Sequence, residues 1–486
     1  MGSEQQVNLA PHVRGVGRGT LTTILARVAD VGATYGYYAI LAHALSTPDF
    51  GRFILGLAVL QIAAAIARRG LDQALVATPP GGAVNRLAAS RVAVAAFAIS
   101  IAAAIAFIVA RHWLPPFAPG LIVTLIAGLP IMALAQVVIG ALRARGSVSL
   151  AATAESVSQP VSALLFSACV AAIAPSVTSF AIAFVCSWAV PLLFATGLDW
   201  RGPRLEGDTA SRLMTAGTSM LGVFLFQQAA NSADVLLLGL FVSANEVAHY
   251  AIAQKIAAAF LLLHGAVTNA AGPFIRRVAH DRGLLDSFRR MVLRWAVAAG
   301  LPLLVVTAGV PTLLLRLFGP EYVAASALPL TILSFAGLAY LTSGPATTIL
   351  LCTGRANVLF RVTAAGSILL ILSVAALARF GATGTAIGVL VGAFFTRGML
   401  VAMVRRYAGL PVADASVAAI LAGAAAGIVT ARLAVPILGE IAAALLGIAL
   451  ATGTALLVLR REGDWTFLRE ELRKRDQKPA GGRSAA

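Results

Sequence analysis

Arg27, Asp30, Thr34 and Tyr37 stand at i, i+3, i+7 and i+10, the spacing of one helix face, inside an otherwise apolar stretch. A guanidinium and a carboxylate in such a setting can hold an anionic group in passage or exchange a cation. Gln227, Asn231 and Asp234 repeat the stripe, because an offset of 197 residues carries Asp30, Thr34 and Tyr37 onto them. Gln254 and Lys255 follow one apolar stretch later. Facing lipid, such charges would each cost several kcal/mol, so the two stripes are expected to face each other, another helix or water. Each residue also has a plainer reading. Arg27 and Asp30 can pair within one helix, Asp234 can be a structural partner of Lys255, and Glu155 can be solvated at a membrane edge. His264 and Asn269 read first as packing residues. No metal site, cofactor site or catalytic constellation is expected: there is no Walker A sequence, no His/Cys metal spacing and no supported nucleophile–base pair. Cys169, Cys186 and Cys352 sit among apolar residues and read as small packing groups.

The elements that position these side chains are apolar stretches long enough to cross a bilayer, whose core takes about 20 helical residues. Of the 486 residues, 59% are hydrophobic and 12% charged, against about 25% charged in a soluble domain. We read fourteen spans, near 21–43, 53–68, 88–110, 119–142, 151–173, 177–197, 213–239, 247–273, 291–315, 323–351, 358–378, 382–404, 413–435 and 438–459. Their loops alternate in charge, with 30 Arg and Lys on one side against 5 on the other, and Arg27 and Lys255 left inside the membrane. Arg397 counts in that reading with the 30, beside Arg405 and Arg406. The alternation places both termini in the cytoplasm by the positive-inside rule. It also accounts for the net charge of +17 without a nucleic-acid partner. No signal-peptide pattern precedes the first span.

Ser46-Thr-Pro-Asp-Phe-Gly-Arg-Phe53 resembles Ser243-Ala-Asn-Glu-Val-Ala-His-Tyr250 at the same offset of 197, with six spans between the copies. An even number keeps both copies in one orientation, so two six-helix lobes are expected as parallel repeats about an axis along the membrane normal. The resulting organisation is an N-terminal lobe over 1–200, a C-terminal lobe over 201–406, two additional spans over 407–460 and a basic cytoplasmic tail over 461–486. The fold class is all-α and membrane-integral, two lobes around a central cavity.

Several segments carry a resemblance. They are Gly70-Leu-Asp-Gln-Ala-Leu-Val76, Asp234-Val-Leu-Leu-Leu-Gly-Leu-Phe241, Glu246-Val-Ala-His-Tyr-Ala-Ile-Ala-Gln-Lys255, Phe318-Gly-Pro-Glu-Tyr322 with Ala327-Leu-Pro-Leu330, and Thr353-Gly-Arg-Ala-Asn357. In order and spacing the chain resembles polysaccharide flippases of the multidrug/oligosaccharidyl-lipid/polysaccharide exporter superfamily. That resemblance implies alternating access acting on an undecaprenyl-diphosphate-linked oligosaccharide in the bacterial inner membrane. Membrane lipids and a polysaccharide polymerase would be its neighbours. It implies a transporter rather than an enzyme, and the polar stripes then put Arg27, Lys255, Asp30, Asp234, Gln227, Asn231 and Gln254 on the substrate path, with Asp234 and Lys255 at positions typical of the family. A cation-coupled drug exporter using Asp30 or Asp234, a lipid II flippase, and a membrane ligase or glycosyltransferase are the rival readings. The ligase is disfavoured by the lack of a long periplasmic loop.

Overall fold

The computed structural model describes residues 29–68, 86–110, 119–144, 147–195, 228, 231–278, 281–411 and 414–463. All regular structure among them is helical. Ten helical stretches are long and apolar enough to cross a membrane, and one of these, Ala356–Ala408, holds two helices. The all-α membrane bundle expected from sequence is therefore the observed fold. By contacts, the described residues up to Ser232 form one compact unit and those from Ala233 onward a second.

The first unit contains α1 (29–44), α2 (Thr47–Arg68), α3 (Arg86–Ala110), α4 (Pro119–Ala127), α5 (Leu129–Ala144), α6 (Leu150–Ile173) and α7 (Val177–Ser187). Ser46 starts α2 as a cap: its hydroxyl accepts the Asp49 amide at 3.3 Å and donates to the Asp49 carboxylate at 2.8 Å. One turn further, Phe50 and Phe53 are fully buried. Pro160 offers no amide hydrogen to the turn before it, and that turn widens into a π-turn, Ala154–Ser158. Glu155, read from sequence as solvated, instead pairs with Arg143 across α5 and α6. Cys169 and Cys186 are not interior packing groups but lie exposed on helix surfaces.

The second unit contains most of α8 (Asn231–Phe241), then α9 (Ala244–Val278), α10 (Arg282–Leu304), α11 (Glu321–Thr342), α12 (Ala346–Cys352), α13 (Ala356–Leu377), α14 (Gly381–Ala408), α15 (Ala415–Leu438) and α16 (Glu440–Arg461). α9 begins 197 residues after α2, at the second copy of the sequence match. The chain breaks before Pro345: Gly344 takes φ +53 and separates α11 from α12. The core joins α10 to α15 and α16 through Val297, Leu301, Val305, Ile420, Ala424 and Ala451. Glycines allow this approach, since a Cβ on Gly427 would lie 2.6 Å from the Gly447 carbonyl oxygen.

Polar clamps hold α15 and α16 at both ends. At one end buried Arg294 reaches Asp414 at 3.3 Å and Glu462 at 3.4 Å, while Ser416 donates to Glu462 at 2.6 Å. At the other, Glu440 accepts from Thr312 at 2.8 Å and pairs with Arg316 at 3.1 Å. Between them, a π-turn at Val305–Gly309 and the break before Pro311 leave the Ala308 carbonyl for Arg432, whose Nη2 donates to it at 2.7 Å.

Candidate functional site

Asp234 is the organising group of the second unit. α8 carries it inward to 6% exposure, where α9 meets it with residues one helical turn apart. Tyr250 Oη donates to Asp234 Oδ2 at 2.6 Å, and Gln254 Nε2 donates to the same oxygen at 2.6 Å. The Val235 amide donates to Oδ1 at 2.8 Å. Lys255, half-buried on the next position of α9, interacts electrostatically with the carboxylate. Local sequence explains the placement: Glu246 lies in the first turn of α9 and also accepts the Ala382 amide at 3.2 Å, fixing the start of α14 to α9. Tyr250 is fully buried, so its hydroxyl needs a partner inside the unit, and Asp234 supplies it. Three donors and a nearby ammonium offset part of the cost of burying this carboxylate, which can bind or exchange a cation.

Among the residues expected from sequence, the structure gathers Asp234, Gln254 and Lys255. Asn231 lies on the same helix as Asp234 but is exposed. In the first unit Asp30 is half-buried and accepts from Thr34 at 3.3 Å. Tyr37 is buried against Tyr38 and Phe184, with ring centroids 5.1 and 6.2 Å away, and its hydroxyl has no hydrogen-bond partner among the described residues. Arg27 and Gln227 lie outside the described residues. Polar links not anticipated from sequence are Gln228 to Gln61 at 3.1 Å, Arg68 to Gln136 at 3.4 Å and Gln159 to Ser187 at 3.1 Å.

A second polar group went unmarked in the sequence reading. Arg397, counted there with the loop arginines, lies well inside α14, with its Cζ 3.8 Å from the centroid of the Tyr340 ring. His264 of α9 meets the same ring edge-on at 6.1 Å. The missed signal was distance: Arg397 precedes Arg405 by eight residues, more than two helical turns. Among the described residues, no group of three or more His, Cys, Asp and Glu side chains gathers as a metal site.

Comparison with known proteins places this geometry. A family model described as polysaccharide biosynthesis protein matches residues 40–327, more than half of the chain. No curated protein matches it in sequence. Among solved structures, the lipid II flippase MurJ in an inward-closed conformation superposes with a TM-score of 0.70 at 11% identity, covering 91% of this chain and 99% of that one. An inward-facing multidrug resistance MATE family transporter of the MOP superfamily superposes with a TM-score of 0.62 at 15% identity, covering 80% of this chain and 98% of that one. A mutant of the Vibrio cholerae MATE transporter VcmN gives 0.55 at 17% identity, covering 82% and 99%. The fold is thus that of flippases and multidrug transporters, and by its family match the chain belongs to the polysaccharide biosynthesis proteins.

Proposed function

We propose that this protein is an inner-membrane flippase that moves a lipid-diphosphate-linked oligosaccharide from the cytoplasmic to the periplasmic face by alternating access, for surface polysaccharide synthesis. The observation that carries the reading is a polysaccharide-biosynthesis family match on a chain whose fold is that of membrane transporters. Undecaprenyl diphosphate is the lipid carrier, and both termini are cytoplasmic. The lobes are parallel repeats, and their polar stripes line the path. Arg27 and Lys255 hold the diphosphate in turn, Arg through paired hydrogen bonds and Lys as a point charge. Asp30 and Asp234 hold these cations while the site is empty, and Gln227, Asn231 and Gln254 offer amides to the sugar. The test is deletion followed by analysis of surface polysaccharide and lipid-linked intermediates. Surface polymer should disappear and the lipid-linked repeat unit should accumulate facing the cytoplasm. Unchanged polymer overturns the reading, and accumulation of lipid II instead identifies that substrate.

The buried Asp234 cluster favours one second reading, a cation-coupled multidrug exporter. In proteoliposomes, drug efflux driven by a proton or sodium gradient, lost in Asp234→Asn and without any effect of deletion on polysaccharide, would replace the flippase reading.

A further inference from the structure

The second unit holds a cation that the path described above does not use. Arg397 lies sixteen residues from the start of α14 and eleven from its end, about 24 Å and 16 Å along the axis at about 1.5 Å per residue. A side chain at that depth lies beyond easy reach of the nearer helix end, and an uncompensated charge there is costly. Yet among the described residues no carboxylate pairs with Arg397; the group beneath its guanidinium is the Tyr340 ring at 3.8 Å. Its Nε is buried and has no hydrogen-bond acceptor among the described residues. His264 packs on the same ring, in a T-shaped contact at 6.1 Å and 71°, near enough for its charge to interact with that of Arg397. Its Nδ1 is also buried without a partner among the described residues. α9, α11 and α14 pack together, so these three side chains are set by three helices of one unit.

An aromatic face stabilises a guanidinium without using its in-plane N–H groups, which stay available for an anion. A carboxylate in the same place would neutralise the cation and satisfy its donors. An intramembrane arginine, an aromatic seat and two nitrogens without partners among the described residues together offer donors to an anionic ligand. We infer that Arg397, Tyr340 and His264 form an anion subsite in the second unit that takes a phosphate or diphosphate group. Arg397 donates its fork to the phosphate oxygens, His264 adds one nitrogen, and Tyr340 keeps the guanidinium in place. That the phosphate arrives on a lipid-linked sugar rests on the flippase reading; the subsite itself rests only on the three side chains.

The test uses the full chain in lipid nanodiscs, titrated with inorganic pyrophosphate and, separately, with undecaprenyl diphosphate. Arg397→Gln should weaken a bound phosphate by about tenfold or more, the loss of a charge-assisted hydrogen bond. Arg397→Lys should weaken it less, since charge remains and the fork is lost, and Tyr340→Leu should fall between. Weakening of both probes assigns the subsite to lipid headgroup phosphate; weakening of pyrophosphate alone assigns it to a free anion. Equal affinity of wild type and Arg397→Gln for both probes overturns the subsite. If Arg397→Gln fails to fold, the folded Arg397→Lys and Tyr340→Leu variants carry the test, and wild-type affinity in both overturns it. A cellular arm separates the two proposals. Polysaccharide unchanged on deletion defeats the flippase reading and leaves the binding result standing. Polysaccharide lost on deletion, with wild-type pyrophosphate and undecaprenyl diphosphate affinities in Arg397→Gln, defeats the subsite alone.

Discussion

At the scale of single residues, one buried carboxylate, Asp234, gathers three donors in the second unit. Tyr250→Phe removes the hydroxyl that donates to Asp234 at 2.6 Å and leaves the carboxylate one partner short. The expected cost is about 1–3 kcal/mol of stability, read as a lower melting temperature in detergent. A melting temperature equal to wild type would mean that this bond contributes nothing. In a complementation assay Arg27→Ala or Lys255→Ala should abolish export at normal protein levels while Lys255→Arg keeps part of it; undiminished export in the double alanine variant would leave both as structural partners. Asp234, Gln254 and Lys255 were legible from sequence because polar groups in an apolar run stand out. Tyr250 was not, since a tyrosine in such a run reads equally well as packing. Arg397 was hidden by its neighbours Arg405 and Arg406, whose loop position it shared in a charge count although helix rise puts it about 12 Å deeper than Arg405.

Helices and their junctions account for the next level. Apolar length and loop charge marked most helices, and the Ser46 and Ser243 segments marked two starts 197 residues apart. Kinks were only half legible. Prolines in the sequence mark the turns at Pro160 and Pro345, but the π-turn at Val305–Gly309 leaves the Ala308 carbonyl to Arg432 far along the chain, a pairing no local pattern encodes. Close packing of α15 on α16 is more exacting than hydropathy suggests. Gly427→Val places a side chain 2.6 Å from the Gly447 carbonyl and should cost about 1–3 kcal/mol by overpacking. Thermal unfolding of the purified variant would register this, and an unshifted transition would show that the pair can separate freely. The equivalent change at Gly453, which has no neighbour within 4 Å of a built Cβ, should be close to neutral.

For the whole molecule, topology is the accessible prediction. The charge asymmetry of 30 to 5 places a reporter fused after Ala486 in the cytoplasm and one in the turn between Ile173 and Val177 in the periplasm. The reverse result at either site would break the fourteen-span reading. Fold class was legible because a bilayer demands long apolar helices and leaves few alternatives. Superfamily likeness was legible only through the order of several loose motifs. The relation of one lobe to the other was not, because nothing in a sequence offset fixes how two packed halves meet. If they are parallel repeats, spans 1–6 should superpose on spans 7–12 by rotation about the membrane normal in an experimental structure, with the Asp30 and Asp234 stripes turned inward. Stripes facing lipid would remove the path altogether.

The clamp at Arg294 bears on how such a chain can change length. Its two carboxylate partners, Asp414 and Glu462, both belong to the final helical hairpin, one before α15 and one after α16. Removing that hairpin would take both of these carboxylates from a guanidinium that is 5% exposed, at a cost of about 3–5 kcal/mol for a broken buried pair. A chain ending at Gly409 should therefore fail to accumulate in membranes, and Arg294→Met should restore much of the lost yield. The hairpin and the arginine thus form one energetic unit, in which the loss of either changes what the other contributes.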